Sequence, residues 1–234
     1  MLFRSFAALA RRVEEQQQLT WSEIAEHLRN NYQGPGGERV RLMMRTAPRY
    51  GAGDSLGDHW ALQISRLLTR LVTERPTPGG RRMIPGWFSW ADTLRLGKQV
   101  GATPDGRRAA EPISHGANPQ PGFRADGAAT AMVRAIAAIQ PGYGNTAPVQ
   151  LELDPGVANC DDAVDMVASL ITTHFDLGGT LFNINIVDAE KVLAAHKDPS
   201  QFPDLVVRVT GFTAYFATLS PEFRQLVVDR MVRA

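Results

Sequence analysis

The feature that most limits what this chain can fold into is a change of hydrophobic period in its last third. Val149, Leu151 and Leu153 alternate like a half-buried strand. Asp161 to Leu177 then puts Val164, Val167, Ile171 and Phe175 on one helical face. Thr180 to Val187 returns to a strand pattern, and Asp188 can cap a helix after it. Asp204 to Thr210 is extended and apolar, Gly211 interrupts it, and Phe212 to Phe216 resumes the extended pattern. Ser220-Pro221-Glu222 opens a last helix, with proline where its missing N–H costs least. Strands alternating with helices predict an α/β arrangement.

The first third reads helical. Leu2, Phe3, Phe6, Leu9 and Val13 recur at helical spacing, which predicts a packing helix at the N-terminus. Thr20 and Glu23 fit a capping box, followed by Trp21, Ile24 and Leu28 on one face. A second long helix is predicted after Asp54-Ser55, carrying Trp60, Ile64, Leu67, Leu68 and Leu71 and stopping before Pro76. Pro76 to Gly127 is dense in glycine and proline and shows little periodicity. Trp87, Phe88 and Trp90 argue that it is nevertheless packed. Ala128 to Ile139 suits a helix.

Charge and composition exclude several function classes. The 234 residues carry 25 basic and 24 acidic side chains, a net charge of +1, so there is no electrostatic case for nucleic acid or an anionic membrane. No apolar run reaches the ~20 residues that span a bilayer, and the N-terminus lacks the pattern of a secretory signal. A cytoplasmic location is the resulting expectation. The single cysteine, Cys160, rules out an internal disulfide, and no Cys/His cluster has metal-ligand spacing. The five histidines (His27, His59, His115, His174 and His196) are scattered and read as solvated or structural.

One glycine stands apart. In Arg208-Val209-Thr210-Gly211-Phe212, it sits between two apolar strands, where a bulge or hairpin tip needs a residue that accepts positive φ. The stretch from Phe202 to Arg230 closely resembles the radical signature of the glycyl radical enzymes, the pyruvate formate-lyase and glycerol dehydratase family. Phe212 stands where relatives usually have tyrosine, so the ring is kept and its hydroxyl lost. Further blocks resemble the same family in the same order: Trp87 to Trp90, Gly101-Ala102-Thr103-Pro104-Asp105-Gly106-Arg107-Arg108 with Glu111-Pro112, Ala128 to Ala131, and Phe175 to Gly179 with Phe182 to Val187.

The resemblance implies the C-terminal half of a ten-stranded α/β barrel with a helical N-terminal segment. Residues 1–100 would belong to the pyruvate formate-lyase-like part and 101–234 to a glycine radical domain whose loop lies near 208–216. Gly211 would carry the radical, with Arg208, Val209 and Phe212 as its neighbours. An amide and a carbonyl can delocalise an unpaired electron on Cα only if the centre is planar, which a Cβ would crowd. By resemblance the radical is installed by an S-adenosylmethionine-dependent iron–sulfur activating enzyme, and the chain itself binds no cofactor or metal. Gly211 would be buried in turnover and able to swing out for activation.

Asn183 and Asn185 share a strand face, where they either line a barrel interior or bond loop backbone. Turn chemistry alone accounts for Asp105-Gly106-Arg107. In the family the glycyl radical regenerates a thiyl radical on a cysteine located upstream of these blocks, and nothing here corresponds to it. Cys160 has acidic neighbours that disfavour a thiolate and reads as incidental. The expectation is a chain that is inactive alone. It would cleave a C–C, C–O or C–N bond of a small molecule only with a missing N-terminal half or a complementary chain, as a homodimer when complete. The alternative is an autonomous spare-part protein that complements an oxygen-damaged enzyme.

Overall fold

The computed structural model describes residues 2–88, 92–120, 129–142, 144–209 and 211–232. The helical first third consists of α1 (Leu2–Leu9), continued by a π-type stretch over Ala10–Glu15, then α2 (Trp21–Arg29), α3 (Gly37–Arg45) and α4 (Leu56–Thr73). Local sequence explains where two of these begin. Thr20 accepts from the Glu23 amide at 3.2 Å while Glu23 accepts from the Thr20 amide at 2.7 Å, a reciprocal cap. Ser55 and Asp58 repeat the arrangement at the start of α4.

Which faces these helices bury is a different matter from where they start. α1 buries its small and polar side, Arg4, Ser5, Ala7 and Ala8, while Leu2 and Phe6 are 48 % and 40 % exposed. α4 buries Gly57, Ala61 and Ser65 and leaves Leu67, Leu68 and Leu71 exposed. α1 packs on α4, and small residues at that crossing let the two helices approach closely. Ile24 of α2 is buried, whereas Trp21 is 55 % exposed. The large apolar residues that set the sequence periodicity are thus divided: Val13 and Ile24 are buried and Phe3, Leu9 and Leu28 pack against the cores, while Leu2, Phe6, Trp21, Leu67, Leu68 and Leu71 are exposed.

Among the described residues of the middle of the chain, regular structure is a short 3₁₀ turn at Pro78–Gly80, an isolated antiparallel bridge between Thr103 and Arg107, and α5 (Thr93–Lys98), a helix the sequence periodicity does not reveal. Trp87 is anchored, its amide donating to the Thr146 carbonyl at 2.8 Å and its ring 6.0 Å from that of Phe3. Trp90 and Ala128 lie outside the described residues. α6 (Ala129–Ala138) buries Met132, Val133, Ala135 and Ile136 against Tyr50, Ala61 and β1.

Two small sheets carry the rest. β1 (Val149–Leu153) pairs in parallel with β2 (Phe182–Ile186), in the register Val149↔Phe182 to Leu153↔Ile186, and α7 (Ala163–Asp176) is the crossover between them. β3 (Val206–Arg208) and β4 (Thr213–Tyr215) form an antiparallel hairpin, with Arg208 opposite Thr213. α8 (Ala189–Lys197), capped by Asp188, and α9 (Pro221–Val232) pack against this hairpin. On α7 the packed side matches its apolar spacing only in part, with Val167 and Ile171 half-buried. Val164 is 81 % exposed and Phe175 47 %, and the buried residue is His174.

The hairpin has an apolar core of its own. Val187, Val192, Ala195, Leu205, Val207, Val209, Phe216, Val227 and Val228 form one buried cluster, separate from the cluster around α6 and β1.

Candidate functional site around Gly211

The hairpin register continues past β3 and β4, with the Val209 amide donating to the Phe212 carbonyl at 2.9 Å. Gly211 lies in the turn that follows from this closure, at φ +77°, and a Cβ built on it would meet nothing within 4 Å. The demand for glycine here is therefore conformational rather than steric, because left-handed backbone is costly for residues with a side chain. Gly211 is exposed in this chain, not enclosed. Thr210 lies outside the described residues.

Gly211 forms part of the wall of a cavity of about 350 Å³. Asn183 of β2 and Arg208 of β3 line it with Gly211. So do Gln150 of β1 and His115, and Phe88, Pro148 and Leu181 give it an apolar side. Arg208 donates from Nη1 to the Thr213 hydroxyl at 3.2 Å and from Nη2 to Asn183 Oδ1 at 3.5 Å. The second contact joins the hairpin to the parallel pair. Of the expected neighbours, Val209 is fully buried and Phe212 is 40 % exposed. Asn185 does not line this cavity, and its amide nitrogen is buried without a hydrogen bond.

Three residues at this site are not apparent from the sequence: Gln150 of β1, His115 and Arg230. His115, within an irregular segment, is buried at the cavity wall, and burial together with the Arg230 guanidinium pushes its imidazole down to about 3. Its uncharged form is thus the one present near neutral pH. Arg230 of α9 is 6 % exposed and donates to the Val209 carbonyl at 2.5 Å and to the Arg208 carbonyl at 2.6 Å. These residues meet the loop in space and not through any regular sequence spacing, so periodicity carries no signal for them.

The Asp105-Gly106-Arg107 turn is structural. Asp105 and Arg107 are 1 % and 2 % exposed, and neither lines the cavity. Arg107 donates to the carbonyls of Glu111, Val100 and Gly101, and Asp105 pairs with Arg4 of α1 at 3.8 Å. Cys160 is an exposed free thiol between a 3₁₀ turn and α7 and does not line the cavity. Among the described residues no group of three or more His, Cys, Asp or Glu could hold a metal ion, and no helix is long and apolar enough to cross a membrane.

Two family profiles match this chain. "Pyruvate formate lyase-like" covers residues 3–97 and "Glycine radical" covers residues 113–217, the latter including Gly211 and the hairpin. The chain belongs to the glycyl radical enzyme family.

Among its relatives, the isethionate sulfite-lyase of Oleidesulfovibrio alaskensis is 28 % identical over 228 residues, which is 97 % of this chain and 27 % of that protein. The fold agrees with solved glycyl radical enzymes. A structure of 1,2-propanediol dehydration in Roseburia inulinivorans superposes with a TM-score of 0.87 at 28 % identity, covering 97 % of this chain and 30 % of that one. The glycerol-bound B12-independent glycerol dehydratase from Clostridium butyricum gives a TM-score of 0.83 at 26 % identity, covering 97 % and 29 %. This glycyl radical enzyme chain thus spans under a third of the length of these proteins.

Proposed function

We propose that this chain is the radical-bearing portion of a glycyl radical lyase or dehydratase, and that Gly211 stores the radical. The chemistry balances as follows. One electron from the reduced iron–sulfur cluster of an activating enzyme would cleave S-adenosylmethionine to methionine and an adenosyl radical, which takes one hydrogen atom from the Gly211 Cα and leaves as 5′-deoxyadenosine. The Gly211 radical then takes a hydrogen atom from a cysteine thiol supplied by further polypeptide. The resulting thiyl radical abstracts hydrogen from a small-molecule substrate. After bond cleavage the hydrogen returns by the same route and Gly211 is restored as the radical.

The observation that carries this reading is the placement of Gly211: a left-handed turn beside a cavity lined by Asn183, Arg208, Gln150 and His115. Its Cβ position is open, so a reacting group can approach without displacing neighbours. Residues 1–100 and 101–234 are the proposed division between the lyase-like part and the glycine radical domain, together making the C-terminal half of an α/β barrel. The exposed apolar residues Leu67, Leu68 and Leu71 of α4 and Val164, Met166 and Phe175 of α7 support further polypeptide packing on these helices. The alternative of an autonomous spare-part protein has less support, because the lyase-like match over residues 3–97 lies far upstream of the radical loop.

Electron paramagnetic resonance on the anaerobically activated chain tests the proposal. A doublet from one Cα hydrogen is expected for the unaltered chain and none for Gly211→Ala. A doublet that survives Gly211→Ala would overturn it.

A further inference from the structure

We infer that Arg230 is a positioning residue that latches the glycine hairpin onto the β1–β2 pair, with Glu152 as its counter-ion. The role rests on the radical function proposed for Gly211, but the geometry stands apart from it. One guanidinium face holds the carbonyls of Val209 and Arg208, at 2.5 and 2.6 Å, which are the last described residues before Gly211. The remaining nitrogen, Nε, lies 3.5 Å from Glu152 Oε1 on β1, within ion-pair distance. Arg230 thus touches the hairpin on one side and the parallel pair on the other.

The latch acts where apolar packing does not. The hairpin belongs to a buried cluster with α8 and α9, while β1 belongs to the cluster around α6. Among the described residues, side-chain links from Arg208 to Asn183 and from Arg230 to Glu152 run across the seam between them, beside the backbone bond from Val187 to Leu153 at its far end. A seam closed by polar groups can open without exposing a core. That suits a glycine that must be enclosed at one stage and reachable at another. Both carbonyls need a fixed fork of donors, which arginine offers and lysine does not. Arg230 and Glu152 are nearly buried, their side chains 6 % and 14 % exposed, so the contact is desolvated and sensitive to loss of either partner.

Residue-resolved hydrogen exchange on the full 234-residue chain tests the latch. The Val209 amide reports hairpin closure through its bond to Phe212, and the Val149 amide, bonded to the Leu181 carbonyl, reports the parallel pair. Arg230→Met is expected to speed exchange at Val209 by about 10-fold or more relative to Val149. Arg230→Lys is expected to fall between Met and the unaltered chain, and Glu152→Gln to give a smaller rise at Val209. Should Arg230→Met not fold, the Lys and Gln variants carry the comparison. Equal acceleration at Val149 and Val209, or unchanged exchange at Val209, would overturn the latch. Radical formation is read separately by electron paramagnetic resonance. Loss of the doublet in the unaltered chain, with the exchange pattern as expected, would remove the radical reading and leave the latch standing.

Discussion

Gly179 lies directly against the imidazole of His174, so close that a Cβ on Gly179 would overlap the ring. His174 is fully buried on α7, with Nδ1 3.4 Å from the Val133 carbonyl of α6 and its ring edge-on to Phe182 of β2. The Gly178-Gly179 pair between α7 and β2 thus serves two ends. Gly178 turns the chain at φ +92°, and Gly179 leaves room for the histidine that ties the crossover helix to the sheet.

A methyl group at Gly179 therefore has nowhere to go. Gly179→Ala is expected to destabilise the chain by about 1–3 kcal/mol through overpacking. Denaturant midpoints at constant slope check this. A change below ~0.5 kcal/mol would show that the histidine can move aside at little cost.

The buried Arg4–Asp105 pair holds α1 against the Asp105-Gly106-Arg107 turn. Arg4 also donates to the Asp105 carbonyl at 3.1 Å, and desolvation lowers its own pKa. Removing one partner leaves the other charge unpaired among buried groups. Arg4→Met and Asp105→Asn are each expected to cost about 3 kcal/mol, and the double variant much less than their sum. A double-mutant cycle by chemical denaturation measures the coupling, and additive losses would contradict the pairing.

His115 makes stability depend on acid. Its imidazole sits at about 3 in the folded chain because of burial first and the Arg230 charge second, against roughly 6.5 when unfolded. Between these values the unfolded chain binds a proton that the folded chain refuses. The histidine's contribution is thus complete above about pH 6.5 and is lost as the pH falls toward 3, at up to about 1.4 kcal/mol per unit. Denaturation midpoints at pH 4.5 and 7.5 are expected to differ less in His115→Gln than in the unaltered chain. Equal differences would contradict the assignment.

How much of this was legible in the residues differs by region. Helix starts were, because Thr20, Ser55 and Asp188 bond to amides only two or three residues away. The strand segments Val149–Leu153 and Phe182–Ile186 were, because alternation is itself local. The hairpin at Gly211 was, because only glycine takes its φ cheaply. Buried faces were legible only in part: Val13, Ile24, Val149 and Leu151 are inside as their spacing suggests. Ala7, Ala8 and Ala61 are inside while Phe6, Leu67 and Val164 are exposed, because burial depends on what packs opposite. His115, Gln150 and Arg230 reach the site from three separate segments, so no spacing rule joins them to Gly211. α5, at six residues, is too short for its period to register.

The lone thiol should be dispensable. Cys160 is exposed and outside the cavity wall, so Cys160→Ser is expected to leave the yield of the electron paramagnetic resonance doublet unchanged within about 20 %. A loss of several fold would give this thiol a part in the radical chemistry.

The most direct measurement maps where oxygen cuts the activated chain. A sample showing the anaerobic doublet is exposed to air and its fragments are weighed by intact mass spectrometry. Scission at Gly211, with a short C-terminal fragment beginning beside it, is the predicted result. An intact chain after the doublet has gone, or scission at any other residue, would contradict the claim that Gly211 holds the unpaired electron.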